Sequence, residues 1–306
     1  MRVFIAGGTG LVGTRLIGRL IGRGDEVVLL TRRADAARAR FGPTVEVVEG
    51  DPMQPGPWME HVAGCDGAIN LVGEGIFGRR WNDEFKRLIR DSRVQSTANV
   101  ARALSQAPAA NDVRRVLVNA SAIGIYGPHG DEEITEESPP GNDFLAEVCV
   151  AWEAAARTAE PSGARVALVR IGVVLDKSGG ALAQLLTPFK LGAGGPVGSG
   201  RQWMSWIHHD DLAGILLLAL DKPEATGPIN GTAPQPVTNK QFGKALGRAL
   251  HRPAFMPLPG FMLRLRLGGV ADVVLTGQRV LPRRALALEY AFRFPEIDAA
   301  LTDAVV

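Results

Sequence analysis

The chain has 306 residues, of which 46% are hydrophobic and 22% are charged, a composition typical of a globular protein with a substantial buried core. Lysine and arginine exceed aspartate and glutamate by only 34 − 32 = 2, so no basic excess favours a nucleic-acid partner. The two cysteines form no CxxC or Cys/His cluster, and no apolar run approaches a membrane span, so we expect a cytoplasmic protein without a zinc site, disulfide framework or membrane segment.

Six short apolar runs predict the strands of a sheet. They are residues 3–6, 26–30, 45–48, 67–72, 115–120 and 165–172. The runs are almost continuously apolar, which is typical of a parallel sheet covered on both faces. Between them, apolar residues recur at helical spacing, as with Leu16 and Leu20, or with Phe85, Leu88 and Ile89. This alternation predicts right-handed βαβ crossovers, and therefore an α/β protein with a Rossmann-like doubly wound parallel sheet.

The pattern changes after Gly172, where stretches rich in glycine and proline interrupt shorter elements. We expect residues 1–175 to form the Rossmann domain and residues 176–306 to form a smaller C-terminal lobe that binds substrate. The segment of about 203–232 is expected to return to the first domain. A final helix is predicted to begin near Pro295.

The first strand leads into a glycine-rich turn, GGTGLVG, at residues 7–13. GxxGxxG spacing between a strand and an amphipathic helix is typical of a turn that holds a dinucleotide. Backbone N–H groups and the helix dipole attract the pyrophosphate there, and a Cβ at the closest approach would push it away. The residues of this turn predicted to contact the cofactor are Gly7, Thr9, Gly10, Leu11, Val12 and Gly13.

The end of the second strand indicates which dinucleotide is bound. A ribose with a free 2′-hydroxyl usually meets an Asp or Glu there, but this chain has Thr31, Arg32 and Arg33. Two guanidinium groups suit a 2′-phosphate, so we predict that residues 1–175 bind NADP. The alternative is NAD, with Arg32 and Arg33 as ordinary solvated charges. The remaining predicted cofactor contacts follow later strands and are Asp51, Asn70 and Gly73.

Several motifs together resemble the extended short-chain dehydrogenase/reductase superfamily. They are TGLVG in the first turn, GD at residues 50–51, SAIGIYG at 121–127 and WIHHDD at 206–211. INLVGEGIFGRRWNDEFKRLIRDSRVQST and the terminal LTGQRVLPRRALALEYAFRFPEIDAAL resemble an atypical, NAD-dependent epimerase/dehydratase-like branch that includes proteins described as cell-division inhibitor homologues. The resemblance spans essentially the whole chain. It implies a nicotinamide cofactor, a small-molecule substrate and, as in many members, a homodimer.

The chain departs from the catalytic pattern of that superfamily. The pattern pairs a Ser or Thr with Tyr-x-x-x-Lys, in which the tyrosine moves a proton and the lysine holds the nicotinamide ribose. The only tyrosines are Tyr126 and Tyr290, and neither has a lysine four residues later. Matched on Glu153, the pattern places Cys149 at the lysine and Leu145 at the tyrosine. Two alternatives follow: an enzyme with another proton carrier, or a catalytically silent NADP-binding sensor or regulator.

Four residues near the predicted carboxyl ends of the strands are candidates for the chemistry: Ser121, Tyr126, Glu74 and Cys149. Tyr126 could donate a proton or could support the turn that contains it. Cys149 could be a thiol acid/base or a small buried hydrophobe, and Glu74 could carry a proton or be a solvated loop charge.

Two arginines are candidates for substrate binding, because the resemblance implies that Arg170 and Arg201 bind an anionic substrate group. The predicted substrate is a nucleotide sugar or another small carbonyl or alcohol, and the predicted activity is that of an NADP-dependent oxidoreductase or epimerase-like enzyme. His208 and His209 precede two aspartates and look like metal ligands, but adjacent side chains point apart and no third cluster completes a shell. No metal is therefore predicted.

Overall fold

The computed structural model describes residues 1–77, 79–106 and 115–306. Its strands are β1 (Arg2–Ala6), β2 (Glu26–Thr31), β3 (Val45–Glu49), β4 (Gly67–Asn70), β5 (Val116–Ala122), β6 (Glu133–Ile134), β7 (Arg165–Ile171), β8 (Val173–Leu175), β9 (Trp203–Met204), β10 (Trp206–His208), β11 (Gly227–Gly231), β12 (Val237–Thr238) and β13 (Arg279–Val280). Its helices are α1 (Leu11–Gly22), α2 (Ala34–Phe41), α3 (Met59–Ala63), α4 (Asp83–Gln106), α5 (Phe144–Arg157), α6 (Gly180–Lys190), α7 (His209–Asp221), α8 (Asn239–Ala249), α9 (Gly260–Leu267), α10 (Ala271–Leu275), α11 (Arg283–Ala287) and α12 (Ile297–Val305).

The central sheet has seven parallel strands in the order β3-β2-β1-β4-β5-β7-β11. The strand order reverses between β1 and β4, and ligands of doubly wound sheets bind in the crevice at such a reversal. The predicted α/β, Rossmann-like fold is therefore confirmed, and the six predicted runs coincide with β1–β5 and β7. The sequence pattern misses β11, because its glycine- and proline-containing GPING does not read as a strand.

Both faces of the sheet are covered, which explains why its strands are apolar throughout. In β1, Val3 and Ile5 point to one face and pack with Leu16 of α1, while Phe4 points to the other face. The second face is covered by α4 and α5, with Val100 of α4 buried beneath them. The carboxyl ends of the strands lie at the edge of these layers and are surrounded by the connecting loops.

The C-terminal part has its own apolar cluster, built around Leu182, Trp206, Phe242 and Leu301. The segment 203–232 contributes to both parts, because β10 pairs with β8, α7 packs against α1 and the sheet, and β11 joins β7. In the described ranges no helix combines the length and apolarity needed to cross a membrane.

Candidate cofactor and active site

The glycine turn presents the open start of a helix at the point of strand reversal. Helix α1 has Gly10 as its N-cap, with no side chain capping it and no acidic residue in its first turn, so its free N–H groups and dipole can receive an anion. Gly7 has a φ of +81°, and a Cβ there would lie 2.7 Å from the carbonyl carbon of Leu71. At Gly13 a Cβ would lie 2.5 Å from the Cα of Gly8. These close approaches require glycine, and the turn that they form fits a pyrophosphate.

Two arginines follow the end of β2. Arg32 and Arg33 are exposed, and neither side chain has a hydrogen bond or ion pair to any described residue. The hydroxyl of Thr31 is already engaged, since its Oγ1 accepts a hydrogen bond from the backbone N–H of Arg33 at 3.2 Å. Arg40, which the sequence analysis does not single out, donates from Nη1 to the carbonyl oxygen of Thr9 at 3.3 Å. Arg32, Arg33 and Arg40 therefore place three positive charges between the end of β2 and the glycine turn.

The two polar residues predicted after β3 and β4 have different surroundings. One carboxylate oxygen of Asp51 accepts from a backbone N–H two residues later at 3.0 Å, which leaves the other oxygen available to a ligand. Asn70 is fully buried, and its amide nitrogen donates to Thr97 Oγ1 at 2.8 Å and to Asn119 Oδ1 at 2.9 Å. Its Oδ1 accepts from the backbone N–H of Val72. This placement favours shaping of the loop after β4 over a direct contact with the cofactor.

Arg170 lies within a buried ionic network. Its Nε and Nη2 donate to the two carboxylate oxygens of Glu153 at 2.8 and 2.9 Å, while Nη1 donates to Tyr126 Oη at 2.9 Å and to the Glu136 carbonyl at 3.2 Å. Ser121 Oγ donates to Glu153 Oε1 at 2.8 Å. Ser121, Tyr126 and Arg170 therefore lie close together near the carboxyl ends of the strands. The guanidinium of Arg170, however, points into the protein. This placement favours a positioning role over binding of a substrate anion.

Tyr126 has both of its hydrogen-bonding capacities engaged in the same network. Its hydroxyl donates to Asn230 Oδ1 at 2.7 Å and accepts from Arg170. The ring is 1% exposed, and burial raises the pKa of Tyr126 to about 12. At neutral pH the phenol therefore stays protonated and its proton is held by Asn230, which favours support of the turn over proton transfer.

Of the other predicted catalytic residues, Cys149 is buried and Glu74 is not. Cys149 packs with Ile125 and Ile134, and burial raises the pKa of its thiol to about 12, so it stays a neutral thiol. Glu74 is half-buried, and its backbone N–H donates to Ser92 Oγ at 3.0 Å. Its carboxylate makes no hydrogen bond to the described part of the chain and is free to act on a ligand.

Two further arginines have no carboxylate partner in the described ranges. Arg201 is exposed in the glycine-rich loop before β9, and no hydrogen bond connects it with the network of Arg170. Arg93 of α4 is a second residue, after Arg40, that sequence reasoning missed. Its guanidinium lies against Gly73, with its carbon 5.1 Å from the centre of the Trp152 ring. An arginine on an amphipathic helix carries no local signal that separates it from a solvated charge.

His208, His209 and Asp303 bring three ligand-type atoms within 4.8 Å of one another. His208 Nδ1 accepts from the backbone N–H of Asp210 at 3.2 Å, so the ring proton lies on Nε2, which is 3.1 Å from Asp303 Oδ2. Burial lowers the pKa of His208 to about 4, and the neutral ring caps α7 with its unprotonated nitrogen. His208 therefore acts as the N-cap of α7.

Comparison with known proteins places these features in a family. A model described as the NAD dependent epimerase/dehydratase family matches residues 3–230, and a domain of unknown function, DUF1731, matches residues 258–304. The mouse epimerase family protein SDR39U1 is 43% identical over 309 residues, and the match covers 100% of both chains. The crystal structure of human SDR39U1 (isoform2) with NADPH is 40% identical, with a TM-score of 0.87 over 99% of each chain.

A nucleoside-diphosphate sugar epimerase from Corynebacterium glutamicum is 35% identical with a TM-score of 0.79, and the match covers 100% of this chain and 58% of that one. The first family model thus matches well over half of the chain, and the mouse and human relatives match along its whole length. The chain belongs to the NAD dependent epimerase/dehydratase family.

Proposed function

We propose that the protein binds NADP(H) and uses it as an oxidoreductase or epimerase-like enzyme acting on a small carbonyl or alcohol. The cofactor assignment is carried by Arg32 and Arg33, whose guanidinium groups have no partner among the described residues and lie where a carboxylate would select NAD. The human relative was crystallised with NADPH, which supports the same choice.

The residues that would hold the cofactor surround the glycine turn. The N–H groups of Leu11, Val12 and Gly13 would receive the pyrophosphate, since no side chain caps α1. Arg32 and Arg33 would bind the 2′-phosphate. When bound, NADP supplies a hydride acceptor, or NADPH a hydride donor, at the nicotinamide ring.

The proton would be handled by Glu74. Tyr126 and Cys149 are buried and protonated, and Ser121 is hydrogen-bonded to Glu153. The carboxylate of Glu74 alone among these candidates is half-exposed and without a hydrogen-bonding partner in the described residues. The C. glutamicum relative supports a nucleotide sugar as one substrate class. The homodimer stays a prediction, to be checked by sedimentation.

A second candidate function is a catalytically silent NADP-binding sensor. It is favoured by the engaged state of Tyr126, whose proton and lone pair are both held by buried neighbours. Under this alternative Glu74 would have no proton to move, while binding of NADPH would be unchanged.

Nicotinamide absorbance distinguishes the two. We expect the purified protein to oxidise NADPH, or reduce NADP, with a member of a panel of carbonyls, alcohols and nucleotide sugars. Replacing Glu74 by Gln should lower that rate by about 10²–10⁴-fold, as expected for loss of general acid–base catalysis. Glu147→Gln changes an exposed carboxylate on α5 and should leave the rate unchanged. Tight NADPH binding without turnover across the panel would favour the sensor.

A further inference from the structure

Arg93 is held in place while one edge of its guanidinium stays free. Nη1 donates to the carbonyl oxygen of Ile89 at 2.9 Å, and the guanidinium carbon lies 5.1 Å from the centre of the Trp152 ring. The indole is itself fixed, because its Nε1 donates to Thr97 Oγ1 at 2.8 Å. Within residues 1–77, 79–106 and 115–306, neither Nε nor Nη2 of Arg93 has a hydrogen-bonding partner and no carboxylate forms an ion pair with it.

The same edge of a second arginine shows what it accommodates. In Arg170, Nε and Nη2 are occupied by the two oxygens of Glu153 at 2.8 and 2.9 Å. These two donors are parallel and match the spacing of two oxygens on one carbon or phosphorus. Arg93 presents the same pair of donors, already oriented by Ile89 and Trp152, without such a partner in the described part of the chain.

The surroundings of Arg93 leave this edge accessible. Gly73 follows β4, next to the strand reversal, and a Cβ there would lie 3.1–3.3 Å from the carbon and nitrogens of the guanidinium. Glu74 interacts with Arg93 only through space, and the two side chains form no ion pair in the described residues. Burial lowers the pKa of Arg93, although it remains a cation at neutral pH because an arginine titrates so far above neutrality. A half-buried cation without a counter-charge is stabilised by an anionic ligand.

We propose that Arg93 forms a binding site for a two-oxygen anion, a carboxylate or a phosphate group, at the carboxyl edge of β4 beside Gly73. The site rests on the proposed function and extends it, because it adds an anionic group to what the substrate or the cofactor presents beside Gly73. It also lies beside Cys149, the position on α5 at which the superfamily pattern has its lysine. In this chain the positive charge in that region is carried by Arg93 on α4 instead. The anion belongs either to the substrate or to the cofactor.

The test is a calorimetric titration of the protein with inorganic phosphate and with acetate, with and without saturating NADP. We expect Arg93→Gln to weaken binding of these anions by about tenfold or more, the loss typical of a charge-assisted pair of hydrogen bonds. Arg93→Lys keeps the charge but lacks the pair of parallel donors, so its affinity for the anions should lie between those of the wild type and Arg93→Gln. This variant preserves the test if the glutamine variant does not fold. Arg90→Gln removes an exposed charge from the same helix and should match the wild type.

Titrations with NADPH identify the source of the anion. An unchanged NADPH dissociation constant in Arg93→Gln, together with weaker binding of phosphate or acetate, assigns the anion to the substrate. A tenfold weaker NADPH affinity, shared by 2′-phospho-ADP-ribose, assigns it to the cofactor's pyrophosphate. If Arg93→Gln and Arg93→Lys fold and bind all four probes like the wild type, or if the wild type binds neither small anion and both variants bind NADPH normally, the proposal is wrong. Failure of the NADP assignment itself would appear separately, as NADPH affinity insensitive to Arg32 and Arg33.

Discussion

Replacing Glu153 by Gln should destabilise the protein strongly, because it leaves Arg170 as a buried cation without its counter-charge. The two side chains are 7% and 9% exposed and share two hydrogen bonds of 2.8 and 2.9 Å. Glutamine keeps one oxygen for Nε of Arg170, but it turns an amide nitrogen toward Nη2, so two donors face each other. Breaking one side of such a buried pair costs about 3–5 kcal/mol in the free energy of unfolding.

Urea unfolding followed by circular dichroism measures this loss. We expect the midpoint of Glu153→Gln to fall while the slope of the transition is preserved. Glu147→Gln, on the same helix but exposed, should stay within about 0.5 kcal/mol of the wild type. The double replacement Glu153→Met with Arg170→Met should cost less than the sum of its single replacements by about 2 kcal/mol or more, because it removes the buried charge altogether. A change below about 1 kcal/mol in Glu153→Gln would refute the network as a stabilising element.

Three further predictions concern the turn, an acidic residue and the thiols. Gly13→Ala should weaken NADPH binding by at least about tenfold, since its Cβ would lie 2.5 Å from the Gly8 backbone; Gly18→Ala in the same helix meets nothing within 4 Å and should stabilise the protein by up to about 1 kcal/mol. Burial opposes ionisation of Asp176, but hydrogen bonds from Arg15 and Ser178 outweigh it and lower its pKa to about 2. The stability advantage of the wild type over Asp176→Asn, about 1–2 kcal/mol, should therefore be present above pH 4 and disappear as the pH falls toward 2 in chemical denaturation. Both cysteines are buried and burial raises both thiol pKa values, so Ellman's reagent at pH 8 should react rapidly only after unfolding, and a fast-reacting native thiol would contradict this burial.

Local sequence was sufficient to predict the parts of the fold that depend on neighbouring residues. The six apolar runs and the turn around Gly10 follow from periodicity and from the conformation that glycine permits. By contrast, the ion pair of Glu153 with Arg170 joins α5 to β7, and no spacing in the sequence specifies it. The free edge of Arg93 is likewise visible only once Trp152 has been placed beneath it. Contacts between side chains of separate helices and strands therefore could not be predicted from the sequence alone.

The cofactor assignment can be tested directly through the ratio of NADPH to NADH dissociation constants. We expect the wild type to bind NADPH more tightly, and the double replacement of Arg32 and Arg33 by alanine to weaken NADPH binding by about 10–100-fold with little effect on NADH. Arg38→Ala is the matched control, because Arg38 is an exposed arginine of α2 that is paired with Asp35 at 3.1 Å, and it should leave the ratio unchanged. Equal or tighter binding of NADH by the wild type, or a ratio unaffected by the loss of Arg32 and Arg33, would contradict the assignment of this protein to NADP.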